Sequence, residues 1–128
     1  MNLLLCQENQ WDNEINKTEL RVLSLSILLV LYSLGSLCVS FYYHMHGKSV
    51  GTLSLILKST DGTQSTRYFS MSGEQSTNWI HTRVDVLVPG VKCQLIFEAT
   101  VGQKHLSDIA VDDVRVGIMI HMSCWEYL

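Results

Sequence analysis

From residue 38 onward apolar and polar side chains alternate with a period of two. Val39, Phe41, Tyr43 and Met45 fall on one face and Ser40, Tyr42 and His44 on the other, as in a strand with one buried side. His44 to Gly47 ends this run and Lys48 to Gly51 makes a turn. Leu53, Leu55 and Leu57 then face one way, with Thr52, Ser54 and Lys58 opposite. Asp61-Gly62 tolerates positive φ and predicts a hairpin into a strand over 65–71, with Tyr68 on the face opposite Arg67 and Phe69. After a polar loop at 72–78, Ile80, Thr82, Val84, Val86 and Val88 share a face, and His81, Arg83 and Asp85 take the solvent side. Pro89-Gly90 is a turn signal. Cys93, Leu95, Phe97 and Ala99 alternate next, and a loop over 101–107 leads to a last strand over 109–116. Short strands separated by turn signals, with no amphipathic helix, predict an all-β antiparallel sandwich of the jelly-roll type.

The chain before residue 38 reads differently. Between Val22 and Gly47 there is no Asp, Glu, Lys or Arg. The 22–37 stretch is about as long as a bilayer core is thick, and Lys17 and Arg21 suit the cytoplasmic side of a signal anchor or transmembrane helix. It equally suits a buried strand, and a continuous apolar run does not separate the two. A cleavable signal peptide fits poorly, because Glu8, Asp12, Glu14 and Glu19 make the leading segment acidic. Residues 1–21 lack periodicity and read as a loop or disordered leader. They hold the one N-glycosylation sequon, at Asn16.

Charge and composition narrow the function. Nine basic residues against twelve acidic ones give a net charge of −3, without a basic cluster, which argues against nucleic acid as a partner. At 47% hydrophobic and 16% charged the chain is globular. Cys6, Cys38, Cys93 and Cys124 are widely spaced with no CxxC, so they suit structural disulfides in an oxidising compartment better than zinc. Any of the three pairings fits this spacing, and Cys93 also suits a small buried hydrophobe.

No nucleophile elbow, zinc-protease helix or phosphate-cradling glycine loop is present, so the chain does not read as an enzyme. Asp108, Asp112 and Asp113 are the nearest thing to a cation cluster, and calcium would be its ion. Alternation places Asp112 and Asp113 on opposite faces, so the favoured reading is structural carboxylates bonded to nearby backbone. His44 and His46 share a side of one strand, with His81, His105 or His121 as a third candidate ligand. They too read first as packed or hydrogen-bonded histidines, with no cofactor implied. Among the aromatics, Phe41 and Tyr43 belong to the core, whereas Tyr42, Trp79 and Trp125 are candidate binding anchors.

Several blocks resemble one family. Cys38-Val-Ser-Phe-Tyr-Tyr-His44-Met45, Gly51-Thr-Leu, Asn78-Trp79, Phe97-Glu98-Ala99 and Asp108-Ile-Ala-Val-Asp-Asp113-Val occur in the order of the C-terminal half of a MAM domain, the extracellular module named for meprin, A-5 protein and receptor tyrosine phosphatase mu. Leu20-Arg-Val-Leu-Ser24 also resembles the family segment preceding the cysteine block. The N-terminal half has no clear counterpart. The resemblance implies a jelly-roll sandwich, here truncated, over 38–124. It pairs Cys38 with Cys124, and it places part of the family's cation-binding carboxylates in the missing half. Residues 125–128 become a tail that is a further strand, a dimer contact or an altered terminus.

Functionally, the resemblance implies a non-catalytic extracellular or membrane-attached adhesion or receptor module. Its partners would be other extracellular proteins, sometimes a second copy, met through the 72–78 and 101–107 loops. Two alternatives stand beside it. The chain could be a regulatory fragment of a MAM-containing enzyme such as a metalloprotease or receptor phosphatase. It could also be a truncated product without its own role, whose unpaired edges invite self-association.

Overall fold

Each alternating run of the sequence is a strand in the computed structural model, which describes residues 2–6, 21–27, 34–101, 107–120 and 123–126. The strands are β1 (Asn2–Cys6), β2 (Arg21–Ile27), β3 (Leu34–Gly47), β4 (Thr52–Ser59), β5 (Ser65–Ser72), β6 (Ile80–Pro89), β7 (Cys93–Val101), β8 (Ser107–Ile120) and β9 (Ser123–Glu126). One sheet runs β1-β8-β3-β6, with β9 added to β8, and the other runs β2-β7-β4-β5. All neighbours are antiparallel. The chain passes repeatedly from one sheet to the other, giving a jelly-roll sandwich with its core between the sheets.

The core is built from the positions that the alternation marks as apolar. Phe41, Met45, Leu53, Leu55, Val86, Val88, Leu95, Phe97, Ile109, Val111 and Val116 are fully buried. Burying such a side chain contributes about 1.5–3 kcal/mol. Phe41 is central, with edge-on contacts to Phe97 at 5.0 Å and Phe69 at 5.3 Å. Within one sheet, the chain entering β4 passes so close to β7 at Gly51 that an added Cβ would overlap the Thr100 carbonyl.

The register of β1 on β8 shifts between Leu4 and Cys6, and strict alternation fails at two further bulges. In β8, Val111 and Val116 both point inward across an odd number of steps, so the parity must slip once. It slips opposite Phe41, because Ser40 pairs with Arg115 and Tyr42 with Asp112. Asp113 there has φ 50° and lines a groove on the outer face with Ser40 and Tyr42, while Val114 packs against the core. The expectation that Asp112 and Asp113 face opposite ways is corrected: the bulge keeps both carboxylates out of the core. The second bulge is at Tyr68, since Leu55 pairs with Phe69 and Ile56 with Arg67. Both Tyr68 and Phe69 pack against the core, rather than on opposite faces.

The first residues also depart from expectation. Asn2–Cys6 is not loop but a strand paired with β8, a short apolar run too brief to show a period. Within 22–37, the described residues 22–27 and 34–37 are strand, and 28–33 lie outside the described residues. No helix among the described residues is long and apolar enough to cross a membrane. The last long strand continues past Val116 to Ile120, and β9 makes part of the tail a further strand on β8.

Candidate interaction surface

The outer face of the β1-β8-β3-β6 sheet carries most of the candidate residues, because outward positions on neighbouring strands fall in register. Tyr42 of β3 lies opposite His81 of β6, their rings 4.7 Å apart. One step along β3, His44 packs against Trp79 at 5.5 Å. Tyr42 and Trp79 remain 40% and 46% exposed, unusual for large aromatics not committed to the core. By contrast, Phe41 and Tyr43 on the same strand are buried.

The 72–78 loop borders this row and is held in place by β3 and the neighbouring turn. Gln75 and Ser76 donate their amides to the Met45 carbonyl at 3.0 and 3.4 Å, and Gly73 donates to Gly51 at 2.9 Å. The His44 imidazole donates from Nε2 to the Thr77 carbonyl at 3.2 Å, since a carbonyl can only accept. His46 Nδ1 lies 2.7 Å from Glu74 Oε1, an ion pair when the imidazole is protonated. The two histidines therefore anchor a loop. Of the proposed third ligands, His81 packs at a tilt against Tyr42, and His105 and His121 lie outside the described residues.

Beside the aromatic row is a shallow groove of about 360 Å³ floored by Ser40 and Tyr42. Arg83 forms one wall, bonded to Asp85 at 3.2 Å and reaching across β3 to Met119 Sδ at 3.4 Å. Arg115 forms the other, donating to Asp113 at 3.1 Å. The groove closes at the disulfide joining Cys38 to Cys124, the pair the family resemblance singles out. Sequence reasoning missed this groove. Each arginine is legible as solvent-facing, but only the order β8-β3-β6 brings the two to opposite sides of one strand.

The three carboxylates do not converge on one point. Asp108 is in register with His46 and Asp112 with Tyr42, which spreads them along β8. Asp112 accepts the Asp113 amide at 2.6 Å, and Asp113 accepts from Arg115. Among the described residues no group of three or more His, Cys, Asp or Glu side chains could hold a metal ion. Cys93 is a buried free thiol, and the side chain of Cys6 lies outside the described residues. Cys93 lines a cleft of about 260 Å³ between the sheets, with Leu57, Tyr68 and Val88. Asn16, the 102–106 part of the second loop and the side chain of Trp125 lie outside the described residues.

Comparison with known proteins is consistent across sequence and fold. The family model for the MAM domain, meprin/A5/mu, matches residues 10–125. The rat MAM domain-containing glycosylphosphatidylinositol anchor protein 1 is 44% identical over 80 residues, which are 62% of this chain and 8% of that protein. Mouse MAM domain-containing protein 2 is 39% identical over 82 residues, 64% of this chain and 12% of that protein. Zebrafish neuropilin-1a is 34% identical over 91 residues, 70% of this chain and 10% of that protein. The chain thus spans a small fraction of the length of these relatives. Among solved structures, a carbohydrate-binding module, TmCBM61, superposes with TM-score 0.56 at 15% identity, covering 91% of this chain and 68% of the other. A family 16 carbohydrate-binding module gives 0.55 at 10% identity, covering 75% and 70%. At such identities the likeness is one of fold.

Proposed function

The chain belongs to the MAM domain family, and from that membership we propose that it works as a non-catalytic protein-interaction module, extracellular or membrane-attached, in adhesion or receptor assembly. The observation that carries this reading is the row of Tyr42, Trp79 and His81 beside the 72–78 loop. Exposed aromatics on a rigid sheet offer large contact area at little ordering cost. A loop fastened by backbone and histidine contacts adds a preorganised rim. A partner protein would seat its own apolar side chains on Tyr42 and Trp79, with polar contacts along Arg83 and Arg115. The Cys38–Cys124 bridge suits an oxidising compartment, and one relative carries a glycosylphosphatidylinositol anchor in its name. Both favour the cell surface or its exterior.

The test is a screen of the multimerised chain against an array of cell-surface and secreted ectodomains, repeated with variants. Trp79→Ala and Tyr42→Ala are expected to weaken a specific hit by tenfold or more, about 1.4 kcal/mol or above for an anchor residue. Val91→Ala, an exposed apolar residue in the β6–β7 turn, is expected to change it little. Unchanged binding by both aromatic variants, in a chain that still folds, would remove this face from the proposal.

A further inference from the structure

Among the described residues the outermost strand on the other side of the sheet is β6, whose single in-sheet neighbour is β3. The Tyr68 hydroxyl shows which way its backbone groups point. That hydroxyl donates to the Leu87 carbonyl at 3.0 Å and accepts the Leu87 amide at 3.2 Å, bonding both groups of one residue as a neighbouring strand would. Leu87 therefore turns its N–H and C=O away from β3. The β3–β6 register has no slip, and in an antiparallel strand this orientation alternates. His81, Arg83 and Asp85 thus present their backbone groups on the same open edge. Among the described residues no strand pairs with that edge, and none of these three backbones makes a turn or loop hydrogen bond.

The side chains then restrict what can add to it. Arg83 and Asp85 stand two residues apart on the outer face, both well exposed. A two-fold axis through Arg83 or Asp85 would set like charges opposite each other, which is unfavourable. An axis through Val84 sets Arg83 of each copy opposite Asp85 of the other. It also makes those two pairs the ones that exchange N–H···O bonds, because their groups already face outward. Val84, half-buried against the core, meets its own copy on the inner face. Beyond this window the Tyr68 hydroxyl occupies Leu87, so pairing stops there. We propose that the 81–85 edge of β6 is a self-complementary docking edge for a second copy of this chain, joined antiparallel about Val84.

This rests on the interaction-module reading but uses the open backbone edge of β6, which borders the aromatic row at His81 and the groove at Arg83. The edge is short, well below the roughly 1,200 Å² of a stable complex, so the dimer is weak and concentration-dependent. Sedimentation of the full chain from micromolar to millimolar concentration tests it, with circular dichroism checking each fold. Arg83→Asp and Asp85→Arg are each expected to weaken association about tenfold by opposing like charges in two cross-strand pairs. The double swap R83D/D85R restores opposite charges and is expected to return association to within about twofold. Concentration-dependent protection in hydrogen exchange should appear at the Arg83 and Asp85 amides, with Thr82, Val84 and Val86 unchanged. A chain monomeric throughout, single variants that dimerise normally, or a double swap without rescue would each overturn the proposal. Tyr42→Ala and Trp79→Ala should leave self-association intact, so this proposal and the partner-binding reading fail separately.

Discussion

Asp61 accepts hydrogen bonds from the Thr63 hydroxyl, the Thr63 amide and the Ser59 hydroxyl, at 2.7, 2.9 and 2.7 Å. The Thr63 side chain leads in holding its carboxyl at about 2, below the usual value of about 3.9. A depressed folded pKa contributes stability above the unfolded value and loses it as pH falls toward 2. Urea midpoints of the wild type should therefore fall between pH 4 and pH 2 more steeply than those of Asp61→Asn; parallel curves would contradict this. Burial, with the Asp61 charge second, pushes the Cys93 thiol up. At pH 8 it should resist a thiol reagent in the folded chain and react promptly in denaturant. At Gly51 the overlap is with backbone, which yields little, so Gly51→Ala should cost about 1–3 kcal/mol by urea unfolding.

Bulges govern what happens at the level of the strand. Asp113 occupies the left-handed region, which costs an L-residue about 1–2 kcal/mol and is tolerated best by Gly, Asn and Asp. Asp113→Val should lose about that amount in urea unfolding, and Asp113→Gly close to nothing; equal losses would mean that the backbone there is not strained. The strands themselves were legible from alternation, because each has one face in the core. The parity slips were harder to see. Val111 and Val116 announce that one residue between them is out of step, but which one depends on the partner strand. The same holds at Tyr68, whose reach to Leu87 requires the spatial order of β5 and β6. Asn2–Cys6 went unread because five residues on a sheet edge carry too little pattern.

For the whole molecule, the sandwich and its bridging cysteines were within reach of the sequence, through the alternation and the family resemblance respectively. The interaction face was half legible. Tyr42 and the 72–78 loop stand out in the sequence, whereas the Arg83–Arg115 groove and the aromatic pairing of Trp79 with His44 arise only from strand order. All of it rests on a sandwich whose β1-β8-β3-β6 sheet is tied to β9 by Cys38 and Cys124, 86 residues apart. Closing so long a loop stabilises by roughly 4–5 kcal/mol if it acts through the unfolded chain. The most direct test is thermal unfolding of the full chain, followed by far-UV circular dichroism with and without reductant. A cooperative β-type transition is expected, with a midpoint that drops by more than about 10 °C on reduction. A non-cooperative trace, or a midpoint unmoved by reductant, would contradict a disulfide-tied module presenting a rigid recognition face.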